Sequence, residues 1–233
     1  AYAGFAEALR VHDEWESVYI NNMDFTAADQ LTEQTIHRLF GDCKQDRTPR
    51  VDRRFLGAAT PKGAIDFVPN LTSQLEKRYF LKGRPGSGKS TMLKKLAAAA
   101  QQRGYDIEIY HCGFDPDSLD MIIVRELGFA VFDSTKPHEY DPEKDSDEII
   151  DLYETCIRSG TDERYAEQIH DISARYSLAM KQSIELLSQG HKAHLELEDM
   201  YREAIHFRIV DQVRIRLEEE IEQWAAEYSS MNH

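Results

Sequence analysis

An α/β fold, a parallel sheet between helices with a long helical hairpin attached, follows from three features of the sequence. Apolar runs at 79–81, 106–112 and 129–133 are interleaved with loops and one strong helix, the order that builds a parallel sheet. A glycine-rich segment at 83–90 lies between the first run and that helix, so a strand is turned directly into a helix. From about residue 146 the pattern is helical to the end, in stretches too long and too charged for a compact bundle.

Residues 1–41 read as two helices. Phe5, Leu9, Val11, Trp15, Val18, Tyr19 and Met23 recur near helical spacing. Asp24 or Thr26 can cap a second helix that carries Leu31, Ile36, Leu39 and Phe40 and stops at Gly41. The polar stretch 42–53, with Pro49, reads as a linker. From Arg54 to residue 145 the texture is that of a core. RFLGAA and AIDFVP flank the turn-like TPKG, as in a hairpin. Asn70, Leu71 and Thr72 can cap a short helix ending near Lys77. RYFLKG is a strand, TMLKKLAAAAQQRG a helix of strong formers closed by Gly104, DIEIYHC an alternating strand, and GFAVFD a strand ending at Asp133. Residues 146–233 read as helical throughout. A short stretch at 148–157 precedes two long ones, about 161–189 and 191–228, joined at Gln189-Gly190 as the hairpin.

A shift of 182 positions lays the start of the chain on its end. His12, Glu14, Glu16, Tyr19, Phe25, Asp29 and Gln30 meet His194, Glu196, Glu198, Tyr201, Phe207, Asp211 and Gln212. Met23 meets Ile205 and Leu31 meets Val213, so the apolar pattern agrees as well. Two unrelated amphipathic helices would match by accident; internal duplication explains the match. Residues 1–41 then read as the helical tail of a preceding unit, and the chain, which starts without Met, as a piece of something longer.

With 41% hydrophobic and 30% charged residues, the 233-residue chain has ordinary globular composition and room for one or two domains. No apolar run approaches the roughly 18 residues of a membrane span, and the first ten residues lack a signal peptide's basic and apolar regions. Cys43, Cys112 and Cys156 are too few and scattered for a disulfide framework or zinc site, which points to a reduced, cytoplasmic setting. The net charge of −14 argues against nucleic acid as the main partner. A local phosphate pocket can still be positive within an acidic chain.

Gly83-Arg84-Pro85-Gly86-Ser87-Gly88-Lys89-Ser90 fits the P-loop pattern G-x-x-x-x-G-K-[ST] at every fixed position, and Thr91 follows it. Tyr79-Phe80-Leu81 delivers the chain into the loop and a helix leaves it. Glycines let backbone N–H groups curl around a β-phosphate. Lys89 is expected to bridge β- and γ-phosphate oxygens, Ser90 to ligate Mg²⁺, and the helix N-terminus to add positive charge. The expected ligands are ATP and Mg²⁺; no guanine-reading N-K-x-D motif is evident.

A metal-side acid belongs at the end of a neighbouring strand, and Asp133 has that form, with a capping or turn role as the alternative. Ser134 follows it, where many motor-type and AAA-type ATPases carry a catalytic Glu, which leans toward a kinase-like branch. In open α/β sheets the carboxyl ends of strands frame the ligand crevice. Asp115 or Asp117 could there take a proton from an attacking hydroxyl or orient a water, or simply form an Asp-Pro-Asp turn. Cys112 reads as a buried strand-end thiol rather than a nucleophile, and His111 is a weaker candidate still. Thr135-Lys136-Pro137-His138 could reach the γ-phosphate, which makes His138 a catalytic candidate beside Lys89. Arg84, Arg158, Arg164 and Arg175 are possible charge-stabilising arginines, the last three better read as a solvated helix face.

Taken together, GAATPKGAIDFVPNL, KGRPGSGKST, HCGFDPDSLD and FDSTKPHEYDP resemble a bacterial family of tandem P-loop proteins labelled ATPase or nucleotide-kinase-like. The resemblance covers essentially the whole chain, as the second half of a two-unit protein, and HDEWESVYINNMDF is similar to the end of the family's first unit. It implies a P-loop nucleoside triphosphatase fold and site residues at 83–91, Asp115, Asp117, Asp120, Asp133 and His138. Val124-Arg125 departs from it where Ile-Pro is expected. It implies an architecture and no substrate.

The function expected is that of an ATPase or small-molecule/nucleotide kinase, which hydrolyses ATP or passes its γ-phosphate to a small acceptor. The alternative is a nucleotide-gated interaction module whose helical hairpin binds a partner protein. Long helices at both ends also allow self-association, and no membrane partner is expected.

Overall fold

Six strands form the main sheet of the computed structural model, which describes residues 1–231. Chain order begins with helices α1 (Tyr2–Ile20) and α2 (Phe25–Phe40), strand β1 (Val51–Phe55), a hairpin of β2 (Gly57–Thr60) and β3 (Gly63–Asp66), and a short helix α3 (Val68–Thr72). Strand β4 (Lys77–Lys82) leads through the glycine-rich loop to helix α4 (Lys89–Gln102), followed by β5 (Ile107–His111), β6 (Leu119–Val124) and β7 (Phe129–Asp133). Then come β8 (Glu148–Asp151), α5 (Leu152–Cys156), α6 (Thr161–Arg164), α7 (Ala166–Ala204) and α8 (Phe207–Met231).

The spatial order is β1-β5-β6-β7-β4-β8. β1 with β5, β4 with β7 and β4 with β8 pair in parallel, whereas β6 runs antiparallel to both its neighbours. The fold is therefore α/β with a mostly parallel sheet. Successive residues of each strand face opposite sides, and two cores result. Tyr79, Leu81, Ile109, Ile122 and Val131 pack with Met92, Leu93 and Leu96 of α4. Phe80, Tyr110, Met121, Ile123 and Phe132 face the other way, toward Leu56, Val68 and Leu75.

Several boundaries differ from the sequence reading, each for a local reason. The stretch 42–53 is not all linker: VDRRF forms edge strand β1, whose outward Arg53, Arg54 and Phe55 hide its periodicity. β6 was not anticipated; it is buried at every position, so LDMIIV lacks the alternation that signals a strand. Residues 148–157 are not all helix either. EIID extends beside β4, and Asp151 then caps α5 by accepting from Tyr153 N and Glu154 N. The core thus runs from 51 past 145 to β8, and α3 ends at Thr72, short of Lys77.

α1 and α2 belong to the first compact unit, Ala1–Ser188. Val11, Val18, Tyr19, Met23, Ile36 and Phe40 share the core that holds α4. Asp24 caps α2 at Ala27 N, as anticipated, and the corner between the helices is bonded to the end of α5 through Asp24 N to Cys156 O (2.7 Å) and Arg158 N to Asn22 O (3.0 Å).

The second unit begins at Gln189. The expected break at Gln189-Gly190 is absent: α7 continues to Ala204. One glycine costs about 1 kcal/mol in a helix interior, too little to end a run of strong helix formers. The break falls at 205–206 instead, and every described residue from 189 to 230 is exposed, so no packed antiparallel hairpin forms there. α2 starts at Phe25 and α8 at Phe207, the same 182-residue offset that relates the two sequences.

Candidate functional site

The site is built where β4 and β7 end side by side. Their parallel register sets Leu81 opposite Asp133, so the acid stands at the mouth of the loop that follows β4. Lys89, the first residue of α4, donates from Nζ to Arg84 O at 2.9 Å and lies 3.7 Å from Asp133 Oδ2. Ser90 Oγ accepts from Leu119 N at 3.0 Å, which ties the loop to the start of β6. Two glycines of the loop have a conformational reason. Gly88 has φ 92° just before the helix. Gly86 has φ 74°, and a Cβ there would lie 2.4 Å from Glu16 O, so α1 is seated directly on the loop.

Beside Asp133 stands Asp120, 7% exposed on β6. Among the described residues its Oδ2 is buried without a hydrogen-bond partner, as is Ser87 Oγ inside the loop. Burial first, then the Asp133 charge, push the Asp120 carboxyl up to about 6. Asp133 Oδ1 accepts from Thr135 N (3.0 Å) and Thr135 Oγ1 (2.6 Å). His138 Nδ1 lies 2.6 Å from Asp66 Oδ2, and Tyr140 Oη donates to Asp66 Oδ1 at 2.7 Å. Burial opposes the Asp66 charge, yet the bonds from Tyr140 and His138 hold its carboxyl below the usual range.

Lys89, Ser90, Asp120, Asp133 and His138 line one cleft of about 2060 Å³ that also takes in Asp115, His12 and Glu16, and Asp66 is bonded to its wall at His138. Lys89, Ser90, Asp120, Asp133, Asp115 and His138, all singled out in the sequence, are brought together. Asp117 is not: it is exposed, and its N–H donates to Asp115 Oδ1 within the Asp-Pro-Asp turn. His111 turns to Pro116 O and Arg53. The Cys112 thiol is pushed up to about 12, chiefly by burial, which disfavours the thiolate a nucleophile needs. Arg84 binds Asp162 at 2.8 Å and lies over the Tyr153 ring; its backbone belongs to the loop but its side chain is structural. Arg158 and Arg164 are exposed, and Arg175 pairs with Asp171 and Glu14.

No protein-family model, curated protein or solved structure matches the chain. The site must be judged on its own groups. Loop N–H groups, Lys89 and the start of α4 suit an anion. Ser90 Oγ, Asp133 and the orphaned Asp120 Oδ2 are hard oxygen donors that could hold a hard divalent cation such as Mg²⁺. Asp66, which bonds His138, and the cleft residues His12 and Glu16 carry no functional assignment from the sequence. Asp66 lies in the β2–β3 hairpin and gives no motif, while His12 and Glu16 stand out only through the repeat and the HDEWESVYINNMDF resemblance, neither of which assigns them a role. Among the described residues no helix is long and apolar enough to cross a membrane.

Proposed function

We propose that the chain is a P-loop nucleoside triphosphatase that binds ATP with Mg²⁺ at residues 83–91 and hydrolyses it or transfers its γ-phosphate to a small acceptor. What carries the reading is the strand–loop–helix junction with Lys89 and Asp133 3.7 Å apart at its mouth, in a loop that matches the phosphate-binding pattern at every fixed position. The loop amides cradle the β-phosphate, and Lys89 exchanges Arg84 O for phosphate oxygens, stabilising charge that grows in the transition state. Ser90 and Asp133 would hold the metal ion, with Asp120 as a further oxygen donor; when bound, that ion would neutralise charge on the phosphates.

His138 is the favoured base. Asp66 engages Nδ1 and so fixes the tautomer that leaves Nε2 free to accept a proton. The nucleophile's oxygen bonds to the γ-phosphorus while the bond to the β-phosphate oxygen breaks. ADP leaves with the electron pair, and the nucleophile's proton passes to His138. Asp115, half-buried in the same cleft, is the second candidate for orienting the nucleophile. Ser134 is fully buried, with its hydroxyl bonded to Tyr140 O at 2.7 Å, so it supplies no base in the position where other ATPases place Glu.

A second reading is favoured by the second unit, where Trp224 is 66% and Phe207 55% exposed. Apolar side chains in that state suit a partner protein, and nucleotide turnover would then be slow. Following the γ-label of ATP with Mg²⁺, with and without a pool of small metabolites, separates the readings. Label on an organic product or as inorganic phosphate supports the enzyme; label that stays on ATP, at enzyme concentrations above the nucleotide's, sinks it.

A further inference from the structure

α1 does more than cover the core. Glu16 O sits against Gly86 at the turn of the loop, and His12, one helical turn earlier on the same face, lines the cleft with Lys89 and Asp115. The His12 ring is held between Phe114 and Tyr176, with ring centres 6.1 and 5.6 Å away. Its Nδ1 faces Glu16 Oε1 at 3.8 Å. Among the described residues no hydrogen bond is made to Nε2, and the side chain lines the cleft. Burial lowers the pKa of the imidazole, Lys89 adds to the effect, and the carboxylates of Glu16, Asp13 and Asp115 oppose it. His12 thus lines the cleft from the side where α1 meets the loop at Gly86, with Lys89 and Asp115 in the same lining.

We propose that His12 is a substrate-contacting residue of this site, its Nε2 donating to a γ-phosphate oxygen while Glu16 orients the ring through Nδ1. The proposal rests on the reading of the loop as an ATP site and names the group that distinguishes triphosphate from diphosphate. With a carboxylate on one side and a phosphate on the other, both ring nitrogens act as donors. The same His, Glu and Tyr recur at His194, Glu198 and Tyr201, where His194 Nε2 pairs with Glu198 Oε1 at 3.0 Å. The repeat keeps this polar set although Ile36 and Phe40, core positions of the first copy, become Glu218 and Glu222.

The test is calorimetric titration of the full chain with ATP and, separately, ADP, both with Mg²⁺. His12→Phe keeps ring packing against Phe114 and Tyr176 but removes the donor, whereas His12→Gln places an amide near the Nε2 position. The wild type prefers ATP. In H12F that preference falls about tenfold or more, the scale of one charge-assisted hydrogen bond, with ADP affinity and melting temperature unchanged. In H12Q it recovers to within about threefold of wild type. Should H12F fail to fold, His12→Asn, which faces Glu16 but cannot reach as far as Nε2, is expected to show the same loss. Wild-type preference in H12F or H12N, or equal weakening of ATP and ADP, overturns the proposal. A wild type that binds neither nucleotide refutes the ATP reading itself, and that failure is visible before any substitution is made.

Discussion

Replacing Asp120 by Asn should stabilise the protein while weakening its ligand site. Asp120 is 7% exposed, and its Oδ2 has no partner among the described residues. Its carboxyl is pushed up to about 6 by burial and by Asp133, from an ordinary value of about 3.9. A folded-state pKa above the unfolded one means the folded protein holds the proton more tightly. Stability therefore falls as pH rises from about 4 to about 6, and the deficit persists above that. Two units at about 1.4 kcal/mol each set the scale at about 3 kcal/mol at pH 7. Asn removes the charge and can turn its amide toward Asp133. D120N should gain about 1–3 kcal/mol at pH 7 in a metal chelator, read as about 2–4 °C in Tm per kcal/mol, and nothing near pH 4. The extra stabilisation given by Mg²⁺ and ATP should shrink in the variant. A D120N protein less stable than wild type at pH 7, or equally shifted at both pH values, would refute the reasoning.

Three other substitutions probe the frame around the site. Gly86→Ala forces a left-handed backbone at about 1–2 kcal/mol and drives a Cβ toward Glu16 O; ATP affinity should fall about tenfold or more, by calorimetry. Arg78→Met abandons Asp147, whose fully buried carboxylate accepts from Arg78 Nε at 2.8 Å and from the N–H groups of Glu143 and Lys144. Urea unfolding at pH 7 should report a loss of about 3–5 kcal/mol. Arg78 and these amides hold the Asp147 carboxyl well below the usual range, so its stabilisation is present above about pH 4 and lost as pH falls; the gap between variant and wild type narrows there. Asp66→Asn frees the His138 tautomer, and kcat should drop by about 10² or more with ATP affinity unchanged, whereas parallel losses in both would mean a structural role.

The elements around the loop were legible because their signals are local. Glycine at fixed spacing, an apolar strand before it and Ala- and Lys-rich helix after it are each readable within a few residues, and Asp133 follows from its place at a strand end. What escaped was either masked or non-local. β1 carries Asp52, Arg53 and Arg54 because it is an edge, and β6 shows no alternation because both its faces are buried. Gly190 looked like a stop, yet a helix of strong formers runs through it. His12 reaches the cleft from an N-terminal helix, and Asp66 supports its wall at His138 from a hairpin. Only tertiary packing joins them to it.

The most direct test is titration of the wild-type chain and of Lys89→Ala with ATP, with and without Mg²⁺. One ATP bound per chain is expected, with dependence on Mg²⁺ and a loss of about 100-fold or more in K89A, which removes the charge between the β- and γ-phosphates. Absence of binding by the wild type, or equal binding by K89A, would contradict the assignment of the loop.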